Sequence, residues 1–264
     1  IADLDRLFEA HPELTLVVAF HDDVMEVVHR FCGRADLKQP HKFPTKVQKV
    51  SFSGKNLIKI GHNFFWGCPF IQAVDFRGLR ALQSVGNSFF EYADTLKSVD
   101  LMGLTALVNI GNFFFSKAKS VQFLDTRGLS AVEQIGNSFF YGARQLTHAY
   151  LSYLKNVKGI GDQFLAYVPI QEIDISAMTK LERIGGYFFY HTHALESVKF
   201  GKIENLKIIG NNFLASCSSL KCINLSGCPN LQSIGSGFLQ YANPKIDIYC
   251  HDEAIKLLMQ KAMV

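Results

Sequence analysis

Between Val47 and Cys250 the apolar positions fall into a fixed rhythm. A glycine preceded by Val or Ile recurs at Gly61, Gly86, Gly111, Gly136, Gly161, Gly185, Gly210 and Gly235, spaced by 25, 25, 25, 25, 24, 25 and 25 residues. Three residues beyond each stands a phenylalanine: Phe64, Phe89, Phe114, Phe139, Phe164, Phe188, Phe213 and Phe238. The next position is Phe or Leu, and a mostly small residue follows seven after the glycine, as at Ala93, Ala118 and Ala143. A short alternating run then appears, such as Val74-Asp75-Phe76 or Val99-Asp100-Leu101, which predicts a strand with two residues facing inward.

A unit of this kind cannot bury its apolar side alone. Stacked on its neighbours it places each inward Leu, Val and Phe over its equivalent, so a continuous core forms along one axis. The recurring phenylalanine becomes a structural column rather than a ligand site.

The composite phrase, L-x-x-V-x-L-x-G-L-x-x-L-x-x-I-G-x-x-F-F, resembles leucine-rich repeats. It is most similar to the BspA-like (Treponema-type) class, whose units carry I-G-x-x-A-F-x-x-C-x-x-L. Here Phe mostly stands where that class has Ala, and the unit is a residue or two longer. The resemblance covers about Val47 to Cys250 in eight tandem matches. It implies an α/β solenoid of about eight coils, right-handed, with a short parallel strand per coil. It also implies the adhesion and recognition roles that the class serves in bacteria and protists.

The ends lack the repeat. Leu4, Leu7 and Phe8 suggest a short amphipathic helix, Leu14–Phe20 a strand or buried segment, and Val24, Val27, Val28 and Phe31 a second helix; Pro40 and Pro44 then end the helical signal. Asp252 is placed to cap a final helix carrying Ile255, Leu258, Met259 and Met263 at helical spacing. The expected division is 1–44 as a helical N-terminal cap or flanking module, 45–250 as the leucine-rich repeat solenoid, and 251–264 as a C-terminal capping helix.

Composition narrows function by exclusion. The net charge of +4 arises from 27 basic and 23 acidic residues interspersed along the chain, not the basic stripe of a nucleic-acid surface. No run of eighteen apolar residues occurs, so no membrane insertion is expected. The chain opens at Ile1 rather than Met, as a fragment or processed chain does, and its start lacks the pattern of a signal peptide. No nucleophile elbow, phosphate loop or zinc-protease motif is present, so an enzyme is not expected and no cofactor is implied. The anchor glycines, locked to the repeat, read as turn residues.

The six cysteines are read through the repeat. Cys68 and Cys217 take the small-residue slot, Cys228 a core leucine slot and Cys250 an inward strand slot, as small buried hydrophobes; Cys32 and Cys222 stay unassigned. This favours a reducing, intracellular setting, with a cell-surface setting as the alternative if an upstream signal peptide has been removed. A zinc site from Cys222, Cys228, Cys250 and His251 is disfavoured because inward and outward slots would have to converge. His191 and His193 read as surface histidines, and Asn224-Leu225-Ser226 is a glycosylation sequon of consequence only in a secreted protein.

Strand periodicity names an outward row: Asp75, Asp100, Asp125, Tyr150, Asp174, Lys199, Asn224 and Tyr249. Arg77 and Arg127 flank it on one side, Phe123 and His148 on the other. Neighbouring aspartates repel. Two accounts are open: Arg77 and Arg127 neutralise the row and each Asp is incidental, or the row is a recognition surface with exposed aromatic anchors. The expected partner-binding set is Asp75, Arg77, Asp100, Phe123, Asp125, Arg127, His148, Tyr150, Asp174 and Lys199. The leading functional reading is a non-enzymatic, monomeric module that recognises a protein through its strand (concave) face. The alternatives are a substrate-recognition part of a larger enzyme, such as a ubiquitin ligase, and a microbial surface adhesin. On this register, Asp100→Lys with Asp125→Lys leaves folding intact. Unit five, shortened near Pro169, and Tyr153 in place of a glycine mark local irregularities.

Overall fold

The computed structural model describes residues 6–7, 9–27, 46–250 and 252–263. Its body is a parallel solenoid in which each coil stacks on the next, with one helix at the C-terminal end. Besides the expected strand, each coil carries a second, two-residue strand that ends on the residue before its anchor glycine. These short strands form one unbroken nine-stranded parallel sheet, from Glu26–Val27 to Ser233–Ile234. Val27, Ile60, Val85, Ile110, Ile135, Ile160, Ile184, Ile209 and Ile234 pair along a single column.

The longer strands line another side. Thr15–Ala19, Lys49–Ser53, Ala73–Gly78 and Ser98–Asp100 form one sheet; Phe123–Asp125 pairs with His148–Tyr150; and Glu172–Asp174, Ser197–Lys199, Cys222–Asn224 and Asp247–Tyr249 form a third. The ladder is therefore interrupted after Asp100 and after Tyr150.

The anchor glycines are required by close approach rather than by a turn. A Cβ on Gly111 would lie 2.6 Å from the carbonyl carbon of Gly86, one coil away. The left-handed conformation comes two and six residues later, mostly at non-glycine residues such as Ser88 (φ 57) and Tyr92 (φ 58). Each such residue costs about 1–2 kcal/mol. The alternation turns successive amides toward the neighbouring coil: Ser88, Phe90 and Tyr92 donate to the carbonyls of Asn112, Phe114 and Ser116 at 2.7, 2.7 and 3.0 Å. A segment without regular structure thus satisfies its backbone through the coil stacked upon it.

The residue after the anchor glycine adds a second ladder. Asn87 Oδ1 accepts from the amide of Asn112 (2.9 Å), Asn112 Oδ1 from Asn137 (2.8 Å), and Asn137 Oδ1 from Asp162 (2.9 Å).

Inside, the phenylalanines form two columns. Phe89, Phe114, Phe139 and Phe164 stack at 5.2–5.3 Å between centroids, and Phe65, Phe90, Phe115 and Phe140 at 4.8–5.2 Å. Within a coil the two rings meet edge to face, as Phe114 and Phe115 do at 4.7 Å and 86°. Both are preferred aromatic geometries, and burying such rings dominates the core energetics. The sequence-predicted column is present and doubled.

At the N-terminal end the backbone is helical at residues 6–7 and 9–10; Leu4 and Phe8 lie outside the described residues. Thr15–Ala19 pairs in register with Lys49–Ser53, and the Phe20 ring stacks on Phe52 at 6.0 Å. The second helix expected from Val24 onward is not what forms: Glu26–Val27 is a strand paired with Lys59–Ile60. Two valines three apart suit a helix face, but they equally suit a coil corner that leads into a strand, and the neighbouring coil supplies the backbone partners. Val28 and Phe31 lie outside the described residues.

At the other end the helix Glu253–Ala262 covers the last coil. Asp252 Oδ1 accepts from the amides of Ala254 and Ile255 (2.8 and 3.1 Å), and Phe238 N donates to Ala262 O (3.1 Å). Ile255, Met259 and Ala262 are buried, whereas Met263, expected inward, is exposed and Leu258 half-buried.

The cysteines divide. Cys217, Cys228 and Cys250 are free and buried in the predicted slots. Burial pushes the Cys217 thiol up to about 12 and that of Cys228 to about 11. Cys68 is buried in its slot too, but it is disulfide-bonded. The repeat register fixes where a side chain sits among the coils. It carries no information on covalent pairing.

Candidate partner-binding face

The outward row is in register where the ladder is continuous. Ser51, Asp75 and Asp100 are partners across three strands; Asp125 faces Tyr150, Asp174 faces Lys199, and Asn224 faces Tyr249. The flanking row pairs Phe123 with His148. Each position alternates outward because the strand period is two.

The aspartates have a local role that their spacing did not reveal. Asp75, Asp100, Asp125 and Asp174 each accept, through Oδ1, the amide two residues on, at 2.8–3.0 Å. Asn224 does the same toward Ser226. These are Asx turns that close each strand, a function Asp and Asn perform for stereochemical reasons. Their charge is also paired. Arg77 Nη2 lies 2.6 Å from Asp75 Oδ2 and Arg77 Nε 3.4 Å from Asp100 Oδ2, so one guanidinium serves two rungs. Arg127 pairs with Asp125 (2.7 Å) and Lys199 with Asp174 (2.8 Å).

The hydrogen bond from Arg77 holds the Asp75 carboxyl below its usual range. For Asp174 burial acts against ionisation, but the hydrogen bonds from Lys199 and Ser176 outweigh it and the pKa is lowered. The row is thus a self-neutralised network and not a bare acidic strip. The expectation that Lys at 100 and 125 leaves folding intact must be revised, because each replacement removes a turn acceptor and an arginine partner.

What the row leaves open is aromatic and apolar. Met102, Phe123 and Tyr150 are 48%, 54% and 59% exposed; Met102 and Phe123 flank the first interruption of the ladder and Tyr150 stands at the second. The rings of His148 and Tyr150 lie nearly parallel at 6.5 Å. Beside them a shallow groove of about 380 Å³ is lined by Lys49, Ser51, Asp75, Arg77, Met102 and Phe123 among others.

Other expectations divide. His191 is half-buried and His193 exposed, as surface histidines are; with His191 in the left-handed region (φ 55), its Nδ1 lies 3.3 Å from His193 Nε2. Among the described residues no group of three His, Cys, Asp or Glu is placed to hold a metal; His251 lies outside them. No helix of the described residues is long and apolar enough to cross a membrane.

The BspA type leucine rich repeat region matches residues 42–147 and 133–253, in six copies. No curated protein matches the chain. Among solved structures, a leucine rich cell surface protein of Faecalibacterium prausnitzii is similar at 15% identity, with 88% of this chain and 71% of that one covered and a TM-score of 0.53. The pneumococcal vaccine antigen PcpA is similar at 14% identity, covering 96% and 88%, with a TM-score of 0.42. The leucine rich repeat protein of T. pallidum is similar at 14% identity, covering 95% and 89%, with a TM-score of 0.39. The match of a family model over most of the chain, on a parallel solenoid of stacked coils, means that this protein belongs to the BspA type leucine-rich repeat family.

Proposed function

We propose that the protein is a non-enzymatic recognition module that binds a protein partner through its strand face, with Met102, Phe123 and Tyr150 as the anchor. The observation that carries this reading is the exposure of these three residues on neighbouring coils, inside a frame of charges that already satisfy one another. Exposed aromatic residues surrounded by polar groups are the usual energetic centre of an interface. The paired residues Asp75, Arg77, Asp100, Asp125, Arg127, Asp174 and Lys199, with His148, form the rim, where charge directs orientation and on-rate more than affinity. Leucine-rich repeat proteins typically serve protein interaction or surface roles, which agrees with this reading.

A surface or secreted setting for the same module is favoured over an intracellular one by the disulfide at Cys68, since disulfides persist in oxidising compartments.

The test is capture of partners from the source organism, comparing the wild-type chain with Phe123→Ala/Tyr150→Ala. Both side chains are exposed, so the variant is expected to retain its thermal midpoint. A partner bound by the wild type and lost by the folded variant supports the reading; a partner bound equally by both moves the site off the strand face.

A further inference from the structure

The turn segments carry a second, different surface at the place where the repeat is irregular. Six residues after the anchor glycine, the positions in successive coils are Lys117, Gly142, Tyr167 and His191; eight after it they are Lys119, Arg144, Pro169 and His193. Gly142 supplies no side chain in the first column and Pro169, where the coil is one residue short, none that extends in the second. Between the columns lies a cleft of about 640 Å³, in the range of small-ligand sites.

The walls are aromatic and basic. Tyr167 stacks on His191 (5.0 Å, 4°) on the side away from Gly142, and Tyr141 meets Tyr167 at 5.3 Å and 71°. Lys117 Nζ lies 4.8 Å from the Tyr92 ring centroid and 5.9 Å from that of Tyr141, and it donates to Tyr92 Oη (2.9 Å). Lys119 is paired with Asp94 at 2.7 Å, outside the cleft. Arg144 is exposed at the rim, with no ion pair among the described residues. None of the described residues that line the cleft is Asp or Glu.

We infer that this cleft binds an acidic oligosaccharide, a chain of sugar rings bearing carboxylate or sulfate. The cations call for an anion, and they are spread over two coils rather than focused on one point. Tyrosine offers a sugar both an apolar face for its C–H groups and a hydroxyl for its polar edge. The cleft lacks the nest of free amides that cradles a nucleotide's phosphates in loop-type sites: the amides of Gly142, Tyr167 and His191 already donate to Ala166, Tyr190 and Ala215 at 2.9, 2.9 and 3.0 Å, and Pro169 has none. The site lies on the turn side of the coils, so it stands or falls separately from the strand-face reading.

Titrations of the full chain with a galacturonate hexamer, a heparin-derived hexasaccharide, uncharged maltohexaose and ATP test the assignment. One or both acidic sugars are expected to bind, the hexamer identifying carboxylate recognition and the heparin fragment sulfate recognition. Affinity should fall with added salt and drop about tenfold in Arg144→Ala and in Tyr167→Ala, the loss of one charge-assisted hydrogen bond or one ring contact. Both replaced side chains are exposed, and an unchanged thermal midpoint separates lost binding from lost folding. Acidic sugars binding no tighter than maltohexaose, ATP binding as tightly as the sugars, or folded variants binding like wild type would each overturn the assignment.

Discussion

Asn112 takes a hydrogen bond from the coil after it and gives one to the coil before: its Oδ1 accepts from Asn137 N at 2.8 Å, and its own amide donates to Asn87 Oδ1 at 2.9 Å. The side chain therefore links the coils of Gly111 and Gly136. Asn112→Ala leaves the exposed Asn137 amide without its side-chain acceptor and is expected to cost about 0.5–1.5 kcal/mol in urea unfolding. Asn112→Asp keeps an acceptor, as Asp162 does naturally two coils on toward Gly186, and should cost clearly less. Equal losses for the two would mean that the ladder contributes nothing.

The glycines separate into two physical classes. Gly111→Ala drives a Cβ to 2.6 Å from backbone of the adjacent coil, whereas a Cβ on Gly67 (φ +62) meets nothing within 4 Å. Gly67→Ala should lose only the left-handed penalty, about 1–2 kcal/mol. Gly111→Ala should lose more than that, because neither backbone can retreat without breaking its own ladder. Thermal denaturation of the two variants side by side decides it.

Phe114→Ala removes a ring that is 1% exposed and stacked between Phe89 and Phe139. A loss of about 3–5 kcal/mol is expected in chemical denaturation, as for other buried aromatic truncations. The exposed Phe123→Ala should cost far less, so the pair tests the inward and outward register in one experiment.

Asp75 links stability to pH. Its folded pKa lies below the unfolded value because Arg77 hydrogen-bonds its carboxylate. Its contribution is therefore fully present above the unfolded value, about 3.9, and is lost as pH falls through the lower folded value. Asp75→Asn retains the turn acceptor but not the charge. The stability gap between wild type and this variant should be present at neutral pH and close once the pH has fallen below the lowered folded value. A gap that persists in strong acid would point away from the ion pair.

Thiol reactivity should follow burial. Cys222 is half-exposed, while Cys217 and Cys228 are buried with thiols raised to about 12 and about 11. Alkylation of the native protein near pH 8 is expected to label Cys222 first and to reach the other two only on unfolding, since the thiolate is the reactive species. Peptide mass mapping reads the order.

The repeat spacing made much of this fold legible. A glycine every 25 residues with Phe three beyond it predicts the stacked coil, the aromatic column and the alternation that turns Asp75 outward and Val74 inward. Three things stayed hidden for identifiable reasons. The two-residue strands ending at Ile60, Val85 and Ile110 are too short to show a period. The Asx turns of Asp75 and Asp100 are invisible to a pattern that reads only polarity. The cleft beside Gly142 and Pro169 depends on side chains that are missing from two columns, which becomes apparent only when coils are laid side by side.

In mechanical terms, the molecule resembles a beam with one unspliced flange. The nine-stranded ladder runs without a gap, while the opposing strands lose their pairing after Asp100 and again after Tyr150. Bending that opens or closes the strand side therefore meets least resistance at those two joints. The first of them is where Met102 and Phe123 stand, so the compliance of the beam is concentrated where its surface is stickiest.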